Sequence, residues 1–458
     1  MFREYDIRGQ IDQPNELTEE AIDAIGRGFA VFLHKRGIGD AIIGHDSRAH
    51  SAKVKDITVK ALLESGINVI EIGQVLTPIF YFSQYELKKK GGVMITASHN
   101  PGKWSGFKHA YDYSVTLNPD DIKELYDAVT AGAFLRGNGA HETHEGIIEA
   151  YTRDILSRVK IAKRLRVLVD TANGTAGPIV PEMLRRAGCE VIEQYTNLSE
   201  ERHHAANPST LEMLEAMQEG ARHHEVDIAL GFDEDGDRLG VVSEKGEIVW
   251  SDQVLMLLSR PLLAAYPGAK IVFDVKCTQA LFDEIPARGG VPVMWKTGHS
   301  YIKTKAKEVD AALAGERSGH FFFRKGHYGF DDAPFAALKL LEYLSHESKP
   351  LSQLVAELPR YFTSPVWHAP CADEKKYAVI EQLVREFKQE YGVDKVIDIN
   401  GARVYLEDGW GLVRASSNIP MLVLVFEAKT GEGLKKIESA FREKLSHFPE
   451  VGSEWVSG

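Results

Sequence analysis

AIIGHD, at residues 41–46, is a short apolar run that ends in an aspartate. The same pattern recurs as VLVD at residues 167–170 and as IVFD at residues 271–274. Apolar runs of this length are typical of strands that are buried on both faces of a parallel sheet. The repetition indicates that one α/β unit occurs three times along the chain.

A helical stretch, a glycine and a second apolar run follow each of these segments. The second runs lie at residues 65–70, 187–192 and 289–294. A strand, a crossover helix and a second strand form the usual connection of a parallel sheet. The helix before the first copy is predicted to begin after Thr18 and to end before Gly37, because a hydroxyl caps a helix start and glycine suits a helix end.

A third apolar segment in each copy leads into a loop that is rich in polar residues. These loops lie at residues 96–101, 233–238 and 316–320. Ligands of open α/β sheets bind beyond the carboxyl ends of the strands. We therefore expect three α/β domains that each offer one strand-end loop to a shared central cleft.

The C-terminal part of the chain departs from this pattern. Its apolar run MLVLVF, at residues 421–426, and the amphipathic stretch after it predict a smaller α+β domain. The predicted fold class is therefore α/β, with three similar mixed α/β domains and a smaller C-terminal α+β domain around the cleft. The predicted domain boundaries are 1–145, 146–248, 249–359 and 360–458.

Composition limits the possible partners. The 458 residues are 44% hydrophobic and 26% charged, and the formal net charge is −12. An excess of acid repels nucleic acid and anionic membranes at long range, so we expect neither as a partner.

The three cysteines lie far apart, which suggests reduced thiols. With neither a signal-peptide pattern nor an apolar run of about 18 residues, the sequence predicts a cytoplasmic protein.

The second loop carries the strongest local signal. Asp233, Asp235 and Asp237 place carboxylates on alternate residues, and oxygen ligands select a hard cation such as Mg²⁺. An EF-hand is a competing interpretation because Glu244 occupies the twelfth position, but Arg238 stands where that loop requires glycine. A solvated acidic turn is the other alternative, although carboxylates this close would repel one another.

The remaining loops carry weaker signals when each is taken alone. Ser98 stands beside His99, and a serine in a turn is most often only a turn residue. Glu316 and Ser318 are suitable acceptors for vicinal sugar hydroxyls, and an ordinary polar turn is the alternative. A phosphorylated substrate requires cations, and five lie near strand ends or in loops: Arg8, Lys108, Arg238, Lys276 and Arg414.

Taken together, these loops resemble those of the α-D-phosphohexomutase superfamily over essentially the whole chain. In order, the loops that resemble its phosphoserine, metal, sugar-binding and phosphate-binding loops lie at residues 98–108, 233–238, 316–320 and 414–418. Further segments resemble the bacterial phosphomannomutase/phosphoglucomutase group, at residues 2–9, 274–278, 295–300 and 329–332. The chain is thus most similar to that group.

The resemblance implies an intramolecular phosphotransferase. It would move phosphoryl reversibly between C1 and C6 of a hexose phosphate, converting mannose or glucose 1-phosphate to the 6-phosphate. Ser98 would carry the phosphoryl group, and Mg²⁺ would be held by Ser98, Asp233, Asp235 and Asp237. A hexose 1,6-bisphosphate would serve as activator and intermediate, and we expect a monomer or weak dimer.

The resemblance also assigns individual roles. The implied catalytic residues are Ser98, His99, Lys108, Arg238 and His299, and proton transfer is expected from Lys108 and His299. The residues implied to bind substrate are Tyr5, Arg8, Lys276, Thr297, Gly298, Glu316, Ser318, Arg414, Ser416, Ser417 and Asn418.

Some positions depart from the family pattern, and alternatives remain open. Glu234 stands where the family usually has glycine, and it could alter metal preference or face solvent. A phosphoglucosamine mutase and a non-catalytic sugar-phosphate-binding relative are alternative functions, although an intact serine and metal loop argues against the latter. A metal-dependent phosphatase is a third, but it would have no need of a second phosphate grip.

Overall fold

The computed structural model describes residues 1–417 and 419–457. The chain forms two compact units, one from Met1–Pro261 and Ser318–Ala356, the other from Leu262–Arg317 and from Glu357 to the end of the described residues. Residues 249–359, which the sequence predicts as a third domain, thus contribute to both units. Within the described residues, no helix has both the length and the apolar character of a membrane span.

The N-terminal part of the first unit is a sheet with helices. Its elements are β1 (Ile7–Gln10), α1 (Glu19–Lys35), β2 (Asp40–His45), α2 (Ser51–Glu64), β3 (Asn68–Gln74), α3 (Thr77–Glu86), β4 (Gly91–Ile95), β5 (Trp104–Tyr111), β6 (Val115–Thr116), α4 (Pro119–Ala131) and β7 (His141–Thr143). The strand order is β1-β5-β4-β2-β3-β7, with β6 beside β5. β2 is parallel to β3 and β4, whereas β5 is antiparallel to β4. The first strand–helix–strand copy is therefore confirmed, with α2 as its crossover.

Helix α1 follows its local sequence signals. The Thr18 hydroxyl accepts a hydrogen bond from the backbone N–H of Ala21, and Gly37 adopts a φ of 66° just after the helix. Ile25 and Phe29 on its apolar face are buried in the core with the strands. Burial of each such side chain contributes about 1.5–3 kcal/mol, so this face fixes the helix on the sheet.

The second copy follows in the same unit. Its elements are α5 (Ile147–Leu156), β8 (Arg166–Asp170), α6 (Val180–Arg186), β9 (Glu190–Gln194), α7 (Leu211–His224), β10 (Ile228–Phe232), β11 (Leu239–Ser243) and β12 (Ile248–Val249). Helix α8 (Ser251–Ala265) follows, and the first unit ends within it, at Pro261. The strand order is β12-β11-β10-β8-β9. β8 is parallel to β9 and β10, and β11 is antiparallel to β10. This is the arrangement of β5-β4-β2-β3 again.

The third copy begins in the second unit. Its elements there are β13 (Lys270–Asp274), α9 (Ala280–Ala287), β14 (Val291–Trp295), α10 (His299–Glu308) and β15 (Leu313–Gly315). β13 is parallel to both β14 and β15, as in the other copies. The chain then contributes three elements to the first unit: β16 (Phe321–Phe323), α11 (Ala333–His346) and α12 (Leu351–Ala356).

The C-terminal part of the second unit is an antiparallel sheet with two long helices, as predicted. Its elements are β17 (Phe362–Thr363), β18 (Trp367–Pro370), α13 (Asp373–Tyr391), a 3-10 turn (Val393–Lys395), β19 (Val396–Ile397), β20 (Ala402–Tyr405), β21 (Gly409–Ala415), β22 (Met421–Ala428), α14 (Gly431–Ser446) and β23 (Val456–Ser457). The strand order is β19-β20-β21-β22-β18-β23, with β17 beside β22. Phe387 of α13 and Phe441 of α14 are buried in the core of this sheet. The buried guanidinium of Arg403 in β20 donates to the carbonyl oxygens of Val275 (2.7 Å) and Cys277 (2.9 Å), just beyond β13.

Candidate active site

The acidic loop follows β10 directly and turns back into β11. Asp233, Asp235 and Asp237 are fully buried, and each offers a carboxylate oxygen within 4.8 Å of the others. Asp233 Oδ1 accepts hydrogen bonds from the backbone N–H groups of Asp237 and Arg238, both at 3.1 Å. Gly236 adopts a φ of 68°, which a side chain would disfavour. The backbone therefore closes on itself and directs the carboxylates inward.

One cation and one hydroxyl from neighbouring elements reach into this cluster. Lys108 Nζ in β5 donates to Asp235 Oδ2 at 2.6 Å and also to Asp237 Oδ2. Thr77, the first residue of α3, donates through its hydroxyl to the same Asp235 oxygen at 2.6 Å. Asp235 Oδ1 has no hydrogen-bond partner among the described residues. A buried carboxylate oxygen without a hydrogen-bond partner is costly unless a cation is bound. The carboxylate oxygens of this cluster therefore fit a hard divalent ion.

Burial and charge set the protonation of this cluster. Burial, and then the charges of Asp237 and Asp235, hold the pKa of Asp233 well above its ordinary value. Burial alone would lower the pKa of Lys108, but Asp235 and Asp237 raise it above its ordinary value. Burial likewise opposes ionisation of Asp237, but Lys108 and His320 hold its pKa well below the ordinary value. Lys108 therefore stays protonated beside Asp235 and Asp237.

Ser98 lies at this cluster. It follows β4 after a short turn, is 1% exposed, and has a left-handed backbone with a φ of 49°. Its Oγ donates to Asp233 Oδ2 at 2.8 Å, and His99 Nδ1 lies 3.1 Å from the same Oγ. Desolvation of the ring, reinforced by Arg238 and Arg8, holds the pKa of His99 well below its ordinary value. A hydroxyl, a neutral imidazole and the acid cluster therefore meet at one point.

Two arginines lie near the contact between Ser98 and Asp233. Arg8 contacts the Ser98 loop, and Arg238 lies in the acidic loop. Arg8 donates to the carbonyl oxygen of Ala97 at 3.0 Å and to Asn100 Oδ1 at 2.6 Å, and it is paired with Asp6. Arg238 Nε lies 3.9 Å from Asp233 Oδ2. Tyr5, which the resemblance assigns to substrate binding, is buried and 8% exposed.

Glu234 is fully buried, so the alternative in which it faces solvent is wrong. Its Oε1 accepts hydrogen bonds from the hydroxyls of Ser47 and Thr175, both at 2.8 Å, and its Oε2 pairs with Arg202. Burial would raise its pKa, but Arg202 and then Arg48 hold the pKa below its ordinary value. The carboxylate of Glu234 is thus held by Ser47, Thr175 and Arg202.

A second group of predicted residues gathers in the second unit around Asp274 and Asn400. Thr297 donates through its hydroxyl to Asp274 Oδ2 at 2.7 Å, and Lys276 Nζ lies 3.5 Å from the same oxygen. Asn400 Oδ1 accepts from the backbone N–H of Thr297 at 3.3 Å and from Arg414 Nε at 2.8 Å. Asp274 and Asn400 therefore join Thr297, Lys276 and Arg414.

The remaining predicted residues of the second unit lie near the start of α10 and just after β21. Gly298 donates its backbone N–H to Glu316 Oε1 at 2.6 Å, and His299 opens α10 and is buried. Arg414 Nη2 donates to Ser417 Oγ at 3.2 Å, and Ser416 Oγ accepts from the backbone N–H of Ile419 at 3.4 Å. Asn418 lies outside the described residues.

Ser318 belongs to the first unit, whereas Glu316 belongs to the second. Ser318 Oγ lies 3.0 Å from His320 Nδ1, and His320 Nε2 lies 3.3 Å from Asp237 Oδ1. The sequence assigned no role to His320, Thr77 or Asn400. His320 was visible within its motif, but Thr77 and Asn400 are far in sequence from the residues they contact.

Models of one protein family match nearly the whole chain. Three match as α/β/α domains I, II and III of phosphoglucomutase/phosphomannomutase, at residues 1–136, 149–246 and 250–362. The C-terminal domain of the same family matches residues 368–444.

Individual proteins agree with these matches. A phosphomannomutase/phosphoglucomutase from Pseudomonas aeruginosa is 38% identical over 446 residues, which covers 97% of this chain and 95% of the relative. A phosphoglucomutase from Neisseria gonorrhoeae is 36% identical, with 98% of each chain covered. A crystal structure of a phosphoglucomutase/phosphomannomutase family protein from Burkholderia thailandensis superposes with a TM-score of 0.89 at 33% identity, covering 97% of both chains. The chain is an enzyme of the phosphoglucomutase/phosphomannomutase family.

Proposed function

We propose that this enzyme moves a phosphoryl group reversibly between C1 and C6 of a hexose phosphate, with phosphorylated Ser98 as the carrier. The sugar is mannose, glucose or both, and a hexose 1,6-bisphosphate is the intermediate. The observation that carries the proposal is the 2.8 Å contact between Ser98 Oγ and Asp233 in a cluster of buried carboxylates. The names of the Pseudomonas and Neisseria relatives support the choice of sugars.

Mg²⁺ would be held by Asp233, Asp235, Asp237 and an oxygen of the phosphoryl group on Ser98. The fit rests on oxygen-only donors within 4.8 Å of one another and on the unmatched Oδ1 of Asp235. A bound Mg²⁺ spreads the negative charge of the phosphoryl group during transfer.

The side chains around Ser98 exchange protons and stabilise charge in the proposed reaction. Ser98 Oγ gives its phosphoryl group to the free hydroxyl of the sugar phosphate and later takes the other one back. His99, neutral and 3.1 Å from that oxygen, can exchange a proton with it. Lys108 holds its proton firmly in this geometry, so it acts first as a cation that stabilises the developing charge. Arg238 adds a second cation beside Asp233, and His299 is a candidate for proton transfer at the sugar.

The residues proposed to bind the distal phosphate lie in the second unit. Arg414, Ser416 and Ser417 bind the phosphate that is not reacting, because a guanidinium and hydroxyls suit a phosphate dianion. Distal binding also orients the reacting end. The other proposed substrate contacts are Tyr5, Arg8, Lys276, Thr297, Gly298, Glu316, Ser318 and Asn418. We propose a cytoplasmic location, because a phosphorylated sugar substrate and reduced cysteines are both compatible with that compartment.

A substrate panel tests this proposal. Mannose 1-phosphate, glucose 1-phosphate and glucosamine 1-phosphate are each supplied with Mg²⁺ and glucose 1,6-bisphosphate, and products are followed by ³¹P NMR. We expect 6-phosphates from mannose and glucose, slower conversion of glucosamine 1-phosphate, and no inorganic phosphate. Inorganic phosphate as the product would identify a phosphatase. Binding without turnover in the presence of the bisphosphate would identify a sugar-phosphate-binding protein.

A further inference from the structure

The turn between β2 and α2 contacts the Ser98 loop and holds the backbone of that loop. Arg48 in this turn is 6% exposed. Its guanidinium donates to backbone carbonyl oxygens of the loop, those of Ser98 at 2.6 Å, Asn100 at 2.7 Å, Pro101 at 2.8 Å and Trp104 at 3.2 Å. A guanidinium presents its donors in a rigid fork, so one side chain can bind several carbonyl oxygens at once. The Pro101 oxygen also accepts from the backbone N–H of Trp104 at 2.9 Å, and the Trp104 oxygen lies 3.0 Å from His50 Nε2, so Arg48 matters most for the oxygens of Ser98 and Asn100.

Arg48 is itself held in place. Asp46 Oδ2 lies 3.2 Å from Arg48 Nε, and the other oxygen of Asp46 accepts from the backbone N–H of Arg48 at 3.2 Å and from the hydroxyl of Ser51. The left-handed backbone of Ser98 persists only where the surroundings enforce it. The Arg48 contacts supply that enforcement, since they fix the carbonyl oxygen of Ser98 itself.

The same turn is tied to the acidic loop by Glu234. Ser47 donates its hydroxyl to Glu234 Oε1 at 2.8 Å and its backbone N–H to the Thr175 hydroxyl at 2.7 Å. Thr175 in turn donates that hydroxyl to Glu234 Oε1, also at 2.8 Å. Arg202 neutralises the other Glu234 oxygen. Residues 46–48 therefore contact the nucleophile loop on one side and the metal loop on the other.

We infer that Arg48 and Glu234 are positioning residues for phosphoryl transfer. Together they hold the Ser98 hydroxyl at its position beside Asp233. Arg48 fixes the backbone of the nucleophile loop, and Glu234 joins the Arg48 turn to the acidic loop. Neither residue belongs to the proposed set that contacts the sugar phosphate or the ion. The inference rests on the proposed function, because it takes Ser98 as the phosphoryl carrier.

Arg48→Lys tests the first half of the inference. The variant keeps the positive charge but loses the fork, so the loop is held by fewer hydrogen bonds. We expect kcat to fall about 10²-fold, as an ångström-scale misplacement of a reacting group does, while KM for the sugar phosphate changes less than about threefold. Phosphorylation of Ser98 by glucose 1,6-bisphosphate, followed by intact-protein mass spectrometry after rapid quenching, should slow by the same factor.

Arg36→Lys is the matched control. Arg36 lies in the same sheet domain at the end of α1 and donates to the carbonyl oxygen of Phe32 and to Asp121. It has no part in the network around Ser98, so the control should keep wild-type rates.

Ser47→Ala and Glu234→Gln test the second half. Both should slow Ser98 phosphorylation, and the double variant Arg48→Lys/Glu234→Gln should lose less than the product of the single losses, because the two residues act through one network. Should Arg48→Lys fail to fold, Ser47→Ala carries the test, because it removes only one hydroxyl. Wild-type phosphorylation rates in the folded variants would overturn the inference and leave the proposed function intact. A wild-type enzyme that neither takes phosphoryl onto Ser98 nor turns over substrate would overturn both.

Discussion

Ser98→Ala is expected to lower mutase turnover by about three to six orders of magnitude, because the hydroxyl that we propose carries the phosphoryl group is lost. The remaining activity would come from binding and charge stabilisation alone. The fold should persist, since alanine removes only an oxygen whose structural partners are Asp233 and His99. The measurement is turnover of glucose 1-phosphate in the presence of glucose 1,6-bisphosphate, with intact mass recorded in parallel. Wild-type protein should gain one phosphoryl group and the variant none.

Ser65→Ala is a suitable control for the loss of a buried hydroxyl. Ser65 caps the end of α2 and donates to the carbonyl oxygen of Ala61 at 2.8 Å. This variant should retain both activity and phosphorylation. Unchanged turnover in Ser98→Ala, or an equal mass gain in that variant, would show that another residue carries the phosphoryl group.

Removal of divalent ions is the second large effect that we expect. Exhaustive chelation should reduce turnover about 10³-fold or more, since a metal supplies several kcal/mol of charge stabilisation in the transition state. Added Mg²⁺ should restore turnover. Full activity after exhaustive chelation would contradict a metal role.

Thermal unfolding gives an independent readout of the same site. Mg²⁺ at about 100 times its Kd should stabilise the wild-type protein by about 2.7 kcal/mol. Asp235→Asn should lose most of that response, because a ligand carboxylate becomes neutral. Asp154→Asn is the control, since Asp154 pairs with Arg158 outside the cluster in the same unit. An undiminished Mg²⁺ response in Asp235→Asn would place the ion elsewhere.

The repeated architecture could be predicted because its signal is local. Strands buried on both faces leave continuous apolar runs, and β2, β8 and β13 each carry one. The crossover helix and the glycine after it add a second local signal. What the runs could not predict is how the third copy is shared between two compact units, because that follows from packing between segments distant in sequence.

The clustering of the three aspartates in the acidic loop could also be predicted, but the environment of Glu234 could not. Alternate aspartates indicate a cation site from their spacing alone. Glu234 instead depends on Ser47, Thr175 and Arg202, which are scattered over more than 150 positions of the chain. No local pattern links such residues, and the same limit applies to Asn400 between Thr297 and Arg414.

The left-handed backbone at Ser98 sets the thermal stability of the protein against its proposed activity. Glycine adopts that conformation without the steric penalty of a β-carbon, which is worth about 1 kcal/mol. Variants selected only for thermal stability would therefore tend towards glycine at position 98, which lacks the hydroxyl that we propose carries the phosphoryl group. Position 98 is thus one where we expect selection to preserve the proposed activity rather than thermal stability.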